Sequence, residues 1–194
     1  METLKTIKLE NGKSVEFYQS EGDSREWDSL TKMICFHRRY NLGDKHDFDF
    51  NDYSSFEEMK KDIIKKEDAA IIKKLFLYDH SGLTISTSPF SCPWDSGQVG
   101  FVIVTKKAIR AEYNAKRVTK KLITKAEKIL DGEVKTYNMD LRGDVYGFAC
   151  FDENGEVTDS CEGFYGSKFE ENGMIDNIQD NEIVEAMKKE ISIF

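Results

Sequence analysis

The chain has 194 residues, 39% of them hydrophobic, 33% charged and 12% aromatic, with only two prolines. This is the composition of a globular domain with a true core, and it excludes disordered, collagenous and disulfide-scaffold classes. Twenty-eight basic and 36 acidic side chains leave a formal charge of −8, which opposes non-specific attraction to phosphate or anionic lipid.

No apolar run approaches the roughly 18–20 residues that span a bilayer, and the opening METLKTIKLENGK lacks the apolar block of a secretory signal. A cytoplasmic location is therefore expected. The cysteines, at positions 35, 92, 150 and 161, are widely spaced and read as free thiols of a reducing compartment. One domain is the expectation for this length.

In chain order, Lys5 to Leu9 and Ser14 to Phe17 flank Asn11-Gly12, a strong signal for a β-hairpin. Ser20 to Asp28 is polar and turn-rich, and Leu30 to Tyr40 leans to strand. Ser55 with Glu58 reads as a capping box opening a helix to about Glu67, with Phe56, Met59 and Ile63 on one side. Ile71 to Tyr78, Leu83 to Thr87 and Val99 to Thr105 read as successive strands. Thr105 can cap a short helix through Tyr113, and Val118, Leu122, Ala126, Ile129 and Leu130 recur at helical spacing on a second. Gly132 is expected to end that helix as a left-handed cap, with strands over Val134 to Leu141, Val145 to Phe151 and Val157 to Tyr165. A last amphipathic helix from about Asp180 would bury Ile183, Val184, Met187 and Ile191. Runs of strands and helices, rather than strict alternation, predict a single α+β domain with a mainly antiparallel sheet and about four helices.

Charge is unevenly placed. From Lys106 to Lys128 nine Lys or Arg face only Glu112 and Glu127, whereas from Asp152 to Glu185 Lys168 stands against eleven acids. A second acidic cluster runs from Asp44 to Glu58. These blocks read first as solvated surfaces.

Motifs for a phosphate-binding loop, a dinucleotide fold, a nucleophile elbow and a zincin are absent, and no cofactor is implied. What stands out is two polar-aromatic stretches. Arg25-Glu26-Trp27-Asp28 leads into Cys35-Phe36-His37-Arg38-Arg39-Tyr40-Asn41-Leu42-Gly43-Asp44-Lys45-His46, and Tyr78-Asp79-His80-Ser81-Gly82 leads into Pro89-Phe90-Ser91-Cys92-Pro93-Trp94-Asp95-Ser96-Gly97-Gln98. All three histidines and both tryptophans lie there, the mixture of polar heads and rigid aromatic walls that binding sites use.

The R-E-W-D, H-R-R-Y-x-L-G-D and P-W-D-S-G-Q-x-G segments resemble a family of bacteriophage and mobile-element proteins of unassigned activity, over roughly Asp23 to Phe151. Asp23-Ser24-Arg25 stands where the family more usually has a proline, which bears on a turn only. The resemblance implies an accessory role, with interference with host restriction or CRISPR defence a natural candidate. It supplies no catalytic residues.

Three chemistries fit these stretches. Cys35 and His37, two apart on a strand, could share a metal with His46, His80 or Cys92, although no C-x-x-C pair supports it. Cys92 could be a nucleophile activated by His80 or His37, with Asp79 or Asp95 orienting the imidazole. Arg38 and Arg39, with His37 and the turns at Gly43 and Gly82, could hold an anion. Against the last stands internal pairing of Arg25, Arg38 and Arg39 with Asp28, Asp44, Asp79 or Asp95, which would pin two irregular loops together and is the preferred reading.

The basic helix from Lys116 to Lys128 lacks aromatic interleaving and reads as a solvated face, so direct nucleic-acid binding is not favoured. The acidic segments could instead present a phosphate-like field to a basic protein groove. The expected function is thus to bind and inhibit a host nucleic-acid-handling defence protein or complex, away from any membrane. Asp152, Glu153, Glu156, Asp159, Glu162, Glu170 and Glu171 would be the contacts, with Trp27, Arg38, Arg39 and Trp94 organising the scaffold or a second surface. The alternative is a small enzyme or ligand-binding protein with a pocket of His37, Arg38, Arg39, His46, His80, Cys92, Trp94 and Asp95.

Overall fold

A computed structural model describes residues 2–194, and its contacts divide the chain into two compact units: residues 1–23 with 142–194, and residues 24–141. Each carries one four-stranded sheet in which every strand pairing is antiparallel, with helices added. The α+β class is as expected. The strands form two sheets rather than one, and four helices have seven residues or more.

In the first unit β1 (Thr3–Lys8) and β2 (Ser14–Gln19) form the expected hairpin around Gly12. β2 pairs with β7 (Val145–Phe151), and β7 with β8 (Val157–Tyr165), giving the order β1-β2-β7-β8. Alternate residues Val15, Phe17, Tyr146, Phe148 and Cys150 point to one face, as the two-residue period of a strand requires. They pack on α4 (Phe169–Asn172), α5 (Met174–Asn177) and α6 (Asn181–Met187) through Phe169, Met174, Ile183, Val184 and Met187. Ile191 does not join them: α6 ends at Met187, and Ile191 beyond it is 81% exposed.

The second unit has the sheet order β3-β6-β4-β5: β3 (Lys32–Cys35), β4 (Ala69–Asp79), β5 (Leu83–Ser86) and β6 (Ser96–Thr105). Its central strands alternate cleanly. Met33, Leu75, Leu77, Val102 and Val104 face a core shared with Ala126, Leu130, Val134 and Tyr137, whereas Ile34, Phe101 and Ile103 face Met59 and Ile63 of α1 (Phe56–Lys66). The sheet is therefore buried on both sides. Ser55 caps α1 through Glu58 N–H as expected, but Glu58 answers the backbone and hydroxyl of Ser54 rather than of Ser55. Thr105 caps α2 (Lys106–Glu112) by accepting from Ala108 N–H.

Two strand expectations are corrected. Gly132 does not end a helix, and Val134 to Leu141 is not a strand: α3 runs unbroken from Lys120 to Arg142. The buried residues Ala126, Leu130, Val134 and Tyr137 follow each other at steps of four, four and three, one continuous helical stripe that outweighs the cost of an exposed glycine. The lean to strand over Leu30 to Tyr40 survives only at Lys32–Cys35, because the chain turns at His37. No helix of the described residues is long and apolar enough to cross a membrane.

Candidate functional site

The two polar-aromatic stretches meet in the second unit because β3, β6 and β4 are neighbours in its sheet. The loop after β3 is pinned first. Asp44 accepts from Arg25 Nε at 3.1 Å and Nη2 at 2.6 Å, and from the backbone N–H of Met33 at 2.6 Å. Arg25 also donates to the Thr31 carbonyl, while Glu133 of α3 accepts the N–H groups of Leu30 and Thr31. Gly43 turns in the left-handed region at φ +69°, its N–H on the Tyr137 hydroxyl at 2.9 Å. A Cβ there would lie 2.6 Å from the Met33 carbonyl, so no other residue fits without movement. Arg25 and Asp44 are thus scaffold, as internal pairing predicts for this arginine.

Beyond this anchor lies an open cavity of about 950 Å³. Phe36, Tyr40, Phe48, Phe50 and Phe56 form apolar parts of its wall, and His37, Arg38, His46, Asp47, Asn51 and Gln98 are among its polar groups. The rings interlock: Phe36 lies 4.9 Å from His46 and 5.8 Å from Phe50, and Phe50 meets Phe56 edge-on at 5.2 Å. His46 Nε2 is 3.0 Å from the Cys35 carbonyl, which can only accept, so Nε2 carries the proton. Nδ1 is then a bare acceptor. Among the described residues it is the single buried side-chain nitrogen or oxygen without a hydrogen-bond partner, a condition that native folds keep rare.

A second recess of about 390 Å³ shares Phe36, His37 and Gln98 with the first and adds Arg39, Asp79, Trp94 and Asp95. His37 Nδ1 accepts the N–H groups of Arg39 and Tyr40, each at 3.3 Å, which places its proton on Nε2, 4.0 Å from Asp79 Oδ2. Arg39 Nη2 binds the same Asp79 oxygen, and Tyr40 stacks on His37 at 5.0 Å. Arg38, by contrast, is exposed and has no carboxylate within ion-pair distance among the described residues, so it is not part of the scaffold. Nor is Trp94, which stands 92% exposed at the recess rim. Trp27, at 49% exposure, is also largely open to solvent.

The metal and nucleophile arrangements do not assemble. The strand ends at Cys35, so Cys35 and His37 do not share a strand face, and no three His, Cys, Asp or Glu side chains gather as a metal cluster among the described residues. Burial, reinforced by the Asp44 charge and opposed by Arg25, pushes the Cys35 thiol up to about 12, far from a thiolate at neutral pH. Cys92 Sγ donates to Asp95 Oδ2 at 3.6 Å, and His80 Nδ1 lies 3.4 Å from that same oxygen. The carboxylate stands between thiol and imidazole, whereas a nucleophile–base relay needs the imidazole in the middle.

The seven acidic candidates all belong to the first unit. Asp152 is spent on its turn, accepting the N–H groups of Asn154 and Glu156, which hold its carboxyl below the usual range. Asp159 accepts from Gln179 N–H and Glu171 pairs with Lys168 at 2.8 Å. Glu153, Glu156, Glu162 and Glu170 are exposed, with no side-chain partner among the described residues.

Phe36 and Tyr40 of the wall belong to the polar-aromatic stretch, whereas the share of Phe48 and Phe50 in it was not foreseen. Its signal lies in Phe48, Phe50 and Phe56, aromatics set among acids; Phe48 and Phe56 also pack against the core beneath. No protein-family model, curated protein or solved structure matches the chain.

Proposed function

We propose that the second unit is a ligand-binding module and that its larger cavity receives a small planar molecule carrying an N–H or O–H donor and an anionic group. The observation that carries this is the unsatisfied Nδ1 of His46, on a residue that lines an open cavity; the atom itself is covered, so the ligand's donor reaches it by displacing a side chain of the wall. A ligand donor in place of that missing partner removes a penalty of about 1–3 kcal/mol. The surrounding phenyl rings offer faces for stacking, and Arg38, free of internal carboxylates, offers a planar fork to phosphate or carboxylate. Nucleoside monophosphates combine these features and are suitable probes. Calorimetric titration of the four common ones is expected to give saturable binding by at least one, lost in His46→Phe and weakened at least fivefold in Arg38→Ala. Absence of binding by all four, or unchanged affinity in His46→Phe, would overturn the reading.

A second reading concerns the first unit and rests on its charge: eighteen Asp or Glu against seven Lys or Arg, with Glu153, Glu156, Glu162 and Glu170 exposed and unpaired. We propose this acidic unit as the contact with a basic protein. With the family resemblance, it makes the chain an accessory protein of a bacteriophage or mobile element that occupies the nucleic-acid groove of a host defence protein in the cytoplasm. Pull-down from a phage-sensitive host tests it. Capture that falls with salt and with reversal of those four glutamates supports it; capture indifferent to both counts against it.

A further inference from the structure

In the second unit some lysines meet carboxylates: Lys32 pairs with Glu67, Lys66 with Asp62, Lys73 with Asp131 and Lys74 with Glu57. One region gathers cations around a recess. A recess of about 470 Å³ between α2 and the start of α3 is lined by Lys106, Arg110, Lys116 and Arg117 above Ala69, Ala70, Val118 and Ile123, and no acid lines it. Lys106 reaches Asp68 at 2.6 Å, but Arg110, Lys116 and Arg117 have no carboxylate within ion-pair distance among the described residues. Lys120 and Lys121, exposed in the first turn of α3, extend the same charge. The 23-residue α3 begins here, adding its positive dipole end to the same field.

We infer that this recess is a docking surface for the sugar-phosphate backbone of a nucleic-acid duplex. Arginine forks and lysine ammoniums around a shallow apolar floor suit phosphate oxygens, which position a duplex without reading its sequence. A single strand is disfavoured. Tyr113, the aromatic ring in this region, is already covered by Lys125 Nζ at 5.6 Å, so no stacking platform waits for unpaired bases. The chain's overall charge of −8 does not contradict this, because the second unit by itself carries 21 Lys or Arg against eighteen Asp or Glu. The surface is separate from the His46 cavity and shares no residue with it.

Fluorescence anisotropy of the full chain with a labelled 20-base-pair duplex DNA at low salt tests the inference, with the single strand and a heparin fragment as further arms. The triple variant Arg110→Glu, Lys116→Glu, Arg117→Glu is compared with a control of equal charge change, Lys61→Glu, Lys65→Glu, Lys135→Glu, and circular dichroism checks that both fold. Expected is duplex binding, at least tenfold weaker in the recess variant and within threefold of wild type in the control. The log–log salt slope is expected to shrink by roughly 0.9 for each phosphate contact removed. If the recess variant misfolds, Lys116→Gln with Arg117→Gln on the exposed loop must still weaken binding at least threefold. No duplex binding, tighter binding to the single strand, binding of heparin alone, or equal loss in variant and control would each overturn it.

Discussion

Arg25 and Asp44 close the loop that builds the candidate cavity, joined by two hydrogen bonds at 3.1 and 2.6 Å, while a third bond ties Asp44 to the Met33 backbone in β3. The guanidinium fork matches the carboxylate, and its remaining donors reach the Thr31 carbonyl and hydroxyl. Both side chains are mostly buried.

Asp44→Asn is expected to destabilise the protein by about 2–3 kcal/mol, less than the roughly 3–5 kcal/mol of a fully buried broken pair because both partners keep some solvent. Arg25→Lys keeps the charge but loses the fork, for about 1–2 kcal/mol. Urea denaturation followed by tryptophan fluorescence would measure both.

Gly43→Ala combines a left-handed backbone with a Cβ that would meet the Met33 carbonyl at 2.6 Å. A loss of about 2–3 kcal/mol is expected from strain and displacement of the loop, with the same urea assay as readout.

Gly132→Ala should do the opposite. The position lies inside α3, is exposed, and an added Cβ meets nothing within 4 Å. A gain of about 0.5–1 kcal/mol is expected from helix propensity; a loss would mean that the helix does not run through it.

The thiols should separate by burial. Cys161 is exposed, Cys92 is half-buried, and Cys35 and Cys150 are buried with thiols pushed up to about 12. Ellman's reagent at pH 8 is expected to modify Cys161 fast and Cys35 and Cys150 only after guanidinium unfolding. Because Cys35 ionises at an ordinary 9.0 when unfolded and near 12 when folded, the folded state holds the extra proton between those values. Stability should therefore be intact below pH 9 and fall as pH rises from 9 towards 12. Cys35→Ser should flatten that decline.

The sequence signals that proved legible are those with a local cause: Asn11-Gly12 for the hairpin, Ser55 and Thr105 as caps, and β-branched runs for β4 and β6. Gly132 misled because a glycine after a basic amphipathic stretch is a common helix terminus, and only the continued spacing of Leu130, Val134 and Tyr137 shows otherwise. At the site, the motif residues His37, Arg39, Asp79 and Asp95 were recognisable by type, and the structure joins them around one recess. Their division into scaffold and wall was not readable. It depends on which arginine reaches which carboxylate across β3, β4 and β6, a matter of long-range register. The orphaned Nδ1 of His46 was equally hidden, since it follows from the bond its other nitrogen makes to Cys35.

Long-range proton–nitrogen NMR of the histidine rings reads directly whether His46 Nδ1 takes a ligand's donor. Expected is a His46 ring with a proton on Nε2 in the free protein, whose Nδ1 resonance moves to a hydrogen-bonded position on saturation with one of the four nucleoside monophosphates. A proton already on Nδ1 in the free protein, or an Nδ1 signal indifferent to all four, would contradict it.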